Sequence, residues 1–164
     1  MQGNGNVIAI WIVVACSALG GLYELIDAGY LQATPAAATF TLAQSMSAYR
    51  AALIAYARSH PEFEGSVPAQ TLQALLAPNA VDPLWRNYVS PNASTPGSLV
   101  VVYASSASAA PAIAGIETLA GGSAFAGVSL NGAVMSPGNP AVPLPTALAS
   151  AVPNGVPVWM AQAY

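Results

Sequence analysis

The sequence predicts an α+β protein: an N-terminal transmembrane helix, an amphipathic helix, then a small, mostly antiparallel sheet of about four strands with one or two further helices. Three observations predict it. An uncharged apolar run opens the chain, a stripe of Leu, Met and Tyr at helical spacing follows, and β-branched runs punctuated by Gly, Asn and Pro fill the remainder. Charged residues are 5% of the chain and apolar ones 55%, against about 25% and roughly 45–50% in ordinary soluble proteins. Part of this chain is therefore suited to an environment other than water.

From Val7 to Tyr23 there is no charged residue. At about 1.5 Å per residue, a helix through this run approaches the ~30 Å of a hydrocarbon core. Its apolar surface comes from Val7, Ile8, Ile10, Trp11, Ile12, Val13, Val14, Cys16, Leu19, Leu22 and Tyr23. Trp11 and Tyr23 suit interfacial positions, and Glu24 with Asp27 mark the polar boundary. Cys16 with Gly20 and Ser17 with Gly21 put small residues four apart, a spacing that permits close helix–helix contact. Residues 1–31 thus form the anchor and juxtamembrane segment, and residues 32–164 the folded domain. A cleaved signal peptide would need a basic start, which Met1 to Asn6 lacks. Val13-Val14-Ala15-Cys16 resembles a lipobox, so a lipidated Cys16 is the rival reading, opposed by the apolar run continuing beyond it. No Lys or Arg flanks the run closely enough for the positive-inside bias to orient it.

Thr34-Pro35 reads as a helix start, N-cap followed by proline at the first position, and Gly29 with Pro35 favours a break from the anchor. Leu42, Met46, Tyr49, Leu53 and Tyr56 recur at steps of four and three and form a core-packing face, with Arg50 and Arg58 off it. Ser59-His60-Pro61 ends that helix. A second helix runs from Pro68 to Leu76, burying Leu72, Leu75 and Leu76, and prolines and asparagines make 81–96 a loop tucked onto the core by Trp85 and Tyr88. Ser98 to Tyr103 is the first strand, and Pro111 to Ala120 a helix stopped by Gly121-Gly122. Asn131-Gly132 between short apolar runs is the sequence of a type I′ hairpin turn, because both positions need positive φ. Residues 137–145, with four prolines, read as an irregular connection, and Val156 to Met160 as a last strand that Pro157 confines to a sheet edge.

The charged residues allow little chemistry. Glu24, Asp27, Glu62, Glu64, Asp82 and Glu117 face Arg50, Arg58 and Arg86, with no lysine. Nucleic-acid binding needs clustered cations that three scattered arginines do not supply. The single cysteine, Cys16, excludes an internal disulfide. His60, the only histidine, has no G-x-S-x-G elbow to serve, and its position before Pro61 suits a helix end. Glu62 and Glu64 beside it are the sole candidate metal or acid–base cluster, and Pro61 and Gly65 make that segment a solvated turn. Gly121-Gly122 lacks every phosphate-loop pattern. The expectation is no catalytic residue, no cofactor and no metal.

Several of these segments together carry a resemblance: the apolar N-terminus, Tyr49-Arg50-Ala51-Ala52-Leu53-Ile54-Ala55-Tyr56 followed by Pro61 and Gly65, the strand after Gly97, Gly127 to Gly132, and Pro153-Asn154-Gly155. On them the chain resembles the short inner-membrane PilM proteins of thin, type IVb-like pilus systems of conjugative plasmids and related bacterial loci. The resemblance implies a non-catalytic structural component of the pilus assembly apparatus or basal body, single-pass in the bacterial inner membrane with its C-terminal domain in the periplasm. The implied partners are other pilus or envelope-complex proteins, further copies of the chain, and the lipid bilayer. A minor pilin shares the outline, but no Glu stands at the fifth position of a chain cut after Gly3 or Gly5. A lipoprotein, or a periplasmic binding module or enzyme, is the third reading, to be favoured by a pocket converging on His60, Glu62 and Glu64.

Overall fold

The computed structural model describes residues 40–93 and 95–164, which lie within one compact unit, Thr39–Tyr164. The apolar run of residues 7–23, the Thr34-Pro35 start and the boundary at 31/32 lie outside the described residues. Among the described residues no helix is long and apolar enough to cross a membrane.

Helix α1 is described over residues 40–59. Its four-and-three spacing puts Met46, Tyr49 and Leu53 in the core, with Leu42 and Tyr56 half-buried at its margins. Helix α2, Ala69–Leu76, begins behind Pro68 and buries Leu72 and Leu76. Leu75, expected inside, is 47% exposed, because on so short a helix it falls outside the stripe that Leu72 and Leu76 define.

Among the described residues the sheet has six strands in place of the expected four: β1 Trp85–Pro91, β2 Ser98–Ala104, β3 Ala126–Leu130, β4 Ala133–Met135, β5 Val142–Pro143 and β6 Pro157–Ala163. Their order is β1-β2-β6-β3-β4-β5, and every pairing is antiparallel. Two strands came from segments expected to be loops. In 81–96 the prolines lie outside β1 or at its last residue, Pro91, and leave its interior free to pair, while Trp85, Asn87 and Val89 alternate into the core. In 137–145 two residues, Val142 and Pro143, pair with β4 at the sheet's far edge, where a proline is tolerated.

The last strand is not at an edge. β6 lies between β2 and β3. Pro157 is compatible with this because it is the first residue of β6, opposite Val128, where a missing N–H costs little. Since β2 and β3 are both antiparallel to β6, they are parallel to each other. A 3₁₀ turn at Ala107–Ala109 and helix α3, Ala112–Leu119, make the crossover between them. The β1–β2 hairpin and the β3–β4–β5 meander are therefore joined in one sheet only through β6.

Pleating separates two faces. Trp85, Asn87 and Val89 of β1 share one with Val100 and Val102 of β2 and with Trp159 of β6. Helix α1 lies on this face: the Trp85 indole N–H donates to Ser45 Oγ at 3.0 Å and Asn87 Nδ2 to the Tyr49 hydroxyl at 2.8 Å. On the other face Val101, Val158, Met160 and Val134 are buried, and the returning chain with helix α4, Thr146–Ala149, is tied to it through the Ser129 hydroxyl, which donates to the Pro153 carbonyl. Leu144, Leu148, Val152 and Val156 from that return are also buried. The β3–β4 turn has φ +51° at Asn131 and +74° at Gly132, both left-handed.

Candidate interaction site

Residues 60–64 do not form a reactive cluster. The His60 ring stacks on Tyr56 with centroids 4.2 Å apart, and its Nδ1 lies 2.9 Å from the Tyr56 carbonyl oxygen. A carbonyl only accepts, so Nδ1 carries the proton and His60 caps the end of α1. Phe63 meets Tyr56 edge-on at 5.3 Å, and Glu64 accepts from the Tyr88 hydroxyl at 3.0 Å, a bond that reaches the opposite sheet face. Burial and that carboxylate together raise the Tyr88 pKa. Glu62 is exposed. Among the described residues no group of three or more His, Cys, Asp or Glu side chains could hold a metal ion.

Asn87 is the best-connected polar side chain in the core. It accepts from the Val67 N–H at 2.7 Å and donates to the Val67 carbonyl at 3.1 Å and the Tyr49 hydroxyl at 2.8 Å. This pins the chain entering α2 to both β1 and α1. Burial, only partly offset by the bond from Asn87, raises the Tyr49 pKa. The Asn87 site is saturated and structural.

Arg50 differs. It lies next to Tyr49 on α1 and off the Leu42–Tyr56 stripe, yet it is half-buried. Its guanidinium carbon sits 4.1 Å from the centroid of the Trp159 ring, a cation–π contact. Trp159 itself is only 3% exposed, so the arginine covers the indole. The Arg50 Nε is buried without a hydrogen-bond partner. Burial lowers the Arg50 pKa from its ordinary value, though an arginine keeps its charge at any physiological pH. The charge is thus held against an aromatic face with a donor left over.

A cavity of about 290 Å³ opens at this arginine. Arg50 and Trp159 line it together with Leu119 and Phe125, which are 40% and 39% exposed. The end of α3 delivers Leu119 and the turn that precedes β3 delivers Phe125, so β6 and the crossover leading into β3 bring the site together. Sequence reasoning missed it. The available signal was an arginine adjacent to an apolar stripe, but its partner is more than a hundred positions away and only the sheet order brings Trp159 under it.

A family model described as PilM matches residues 14–160 of the chain, well over half of it. No curated protein and no solved structure matches.

Proposed function

The chain belongs to the PilM family, and from that premise we propose that it is a non-catalytic, membrane-anchored structural component of a type IV, thin-pilus assembly apparatus or basal body. The family match carries the pilus-related part of this reading. The anchored part is supported by the uncharged run Val7–Tyr23, whose length suits a bilayer. Inner-membrane location with the C-terminal domain in the periplasm follows from the same reading. Its non-catalytic character is supported by the engagement of the one histidine as a helix cap and of Glu64 as a hydroxyl acceptor. With 5% charged residues, the chain has little of the surface repulsion that keeps proteins apart, so working by association is physically easy.

Cross-linking in the native membrane tests the proposal. Specific adducts with pilus or envelope-complex proteins, or with further copies of the chain, are expected. Replacing His60, Glu62 and Glu64 together by alanine should leave pilus formation unchanged. Recovery of the uncross-linked monomer alone, with pili lost in the triple variant, would overturn the assembly reading in favour of a binding module or enzyme.

A further inference from the structure

We propose that the open edge of β6 beyond Trp159 is a docking site for an extended segment of an assembly partner, which adds there as a further strand with apolar residues at alternate positions. That the segment belongs to an assembly partner rests on the reading above; that it is an extended strand rests on main-chain geometry. Along an antiparallel strand the N–H and C=O of one residue point to one side and those of the next residue to the other. The Met160 N–H donates to the Phe125 carbonyl at 2.8 Å, so Val158, Met160 and Gln162 address the β3 side, while Trp159, Ala161 and Ala163 address β2. The β3 ladder stops at this point. The Phe125 N–H is turned to Ser123 Oγ at 3.3 Å, and no residue of β3 lies opposite Gln162. Among the described residues, the Met160 C=O and both the N–H and C=O of Gln162 are therefore left without a main-chain partner. Burial falls at the same place, from the buried run 157–160 to half-buried Ala161 and Gln162.

The two outer edges of the sheet are closed in ways that this one is not. On β1, Gly65 exchanges both main-chain bonds with Val89, at 2.9 and 2.8 Å, and the Asn87 side chain holds Val67 alongside. On β5, Val142 pairs inward with β4, and the outward residue is Pro143, which has no N–H to offer. Of the three edges, only that of β6 presents a donor between two acceptors, and another extended main chain is what matches that pattern. The 290 Å³ cavity lies along this stretch, with Met160, Ala161 and Phe125 among its lining residues. Leu119 and Phe125, both exposed, give an added strand apolar surface for its alternate side chains. Arg50 at the same cavity repels a lysine or arginine placed there.

The test uses the purified full chain in nanodiscs, isotope-labelled at glutamine and alanine, with amide hydrogen exchange read by NMR. In the free chain the Gln162 amide is expected to exchange quickly and those of Ala161 and Ala163 slowly. The probes are N-acetyl-Thr-Val-Thr-Val-Thr-amide, the same peptide N-methylated at every residue, and its counterpart with lysine in place of valine. The unmodified peptide should slow exchange at Gln162 and bind about tenfold more tightly than either counterpart, as the loss of one main-chain hydrogen bond would give for the methylated one. Gln162→Pro removes a donor that faces away from β2, so it leaves that ladder intact and should abolish discrimination against N-methylation, whereas Gln162→Ala should retain it. Should Gln162→Pro fail to fold, the exchange pattern and the peptide comparison on the wild type decide alone. Slow exchange at Gln162 in the free chain would mean that the edge is already covered, by another part of the chain or by a second copy, and would overturn the proposal. So would equal binding of the unmodified peptide and either counterpart, or discrimination against N-methylation that survives Gln162→Pro. Cross-linking in native membranes separates the two readings. Pilus-component adducts that persist undiminished in Gln162→Pro would overturn the strand-addition site alone. Adducts absent from the wild type, with peptide discrimination intact, would overturn the assembly reading and leave the open edge standing.

Discussion

Tyr49 and Arg50 are neighbours in sequence and opposites in how their polar atoms are treated. The Tyr49 hydroxyl accepts from Asn87 inside the core, whereas the Arg50 Nε is buried and unmatched. The raised pKa of Tyr49 has a consequence whose sign can be worked out. In the unfolded chain this phenol ionises near its ordinary value of 10.0, while in the fold it holds its proton to higher pH, so the stability it contributes is present below pH 10.0 and is lost as pH rises through the folded value. Tyr49→Phe, which leaves a buried Asn87 N–H without its acceptor, should cost about 1–3 kcal/mol at neutral pH and should flatten the alkaline decline. Urea midpoints measured on either side of pH 10.0 check this, and an equally steep decline in Tyr49→Phe would refute it. Neither residue's role was legible locally: the stripe identified Tyr49 as a core residue, but its bond to Asn87 spans 38 positions.

At the level of elements, helices were easier to read than strands. The α1 stripe depends only on spacing along one helix, and Leu53 at its centre is completely buried. Leu53→Ala should accordingly destabilise the domain by about 2–5 kcal/mol, read from denaturant unfolding, and near-wild-type stability would mean that the face is not core. The hairpin was similarly local, since Asn131 and Gly132 both take left-handed φ because the turn demands it. Strands β1 and β5 are hidden in segments whose proline content alone points to loops, because what matters is the position of a proline within a strand. Pro91 ends β1 and Pro143 sits on the edge strand, so neither interrupts a central ladder.

The whole molecule adds a dependence that no element shows, since among the described residues the last strand, β6, is the sole link between the two halves of the sheet, and it carries Trp159 beneath Arg50. At this scale belongs the expectation that residues 7–23 persist in the mature protein as a spanning anchor. Intact mass of membrane-extracted protein should show the run retained; a chain beginning near Gly20, or a lipid on Cys16, would contradict it. What the sequence determined by itself was the α+β class, the helical stripe, the hairpin turn and the poverty of charge, because each follows from composition or from neighbours a few residues apart. Only the tertiary structure decided the six-strand order, the interior place of β6 and the meeting of Arg50 with Trp159. Strand order depends on which distant segments bury the most apolar surface against one another, and spacing along the chain does not encode that competition.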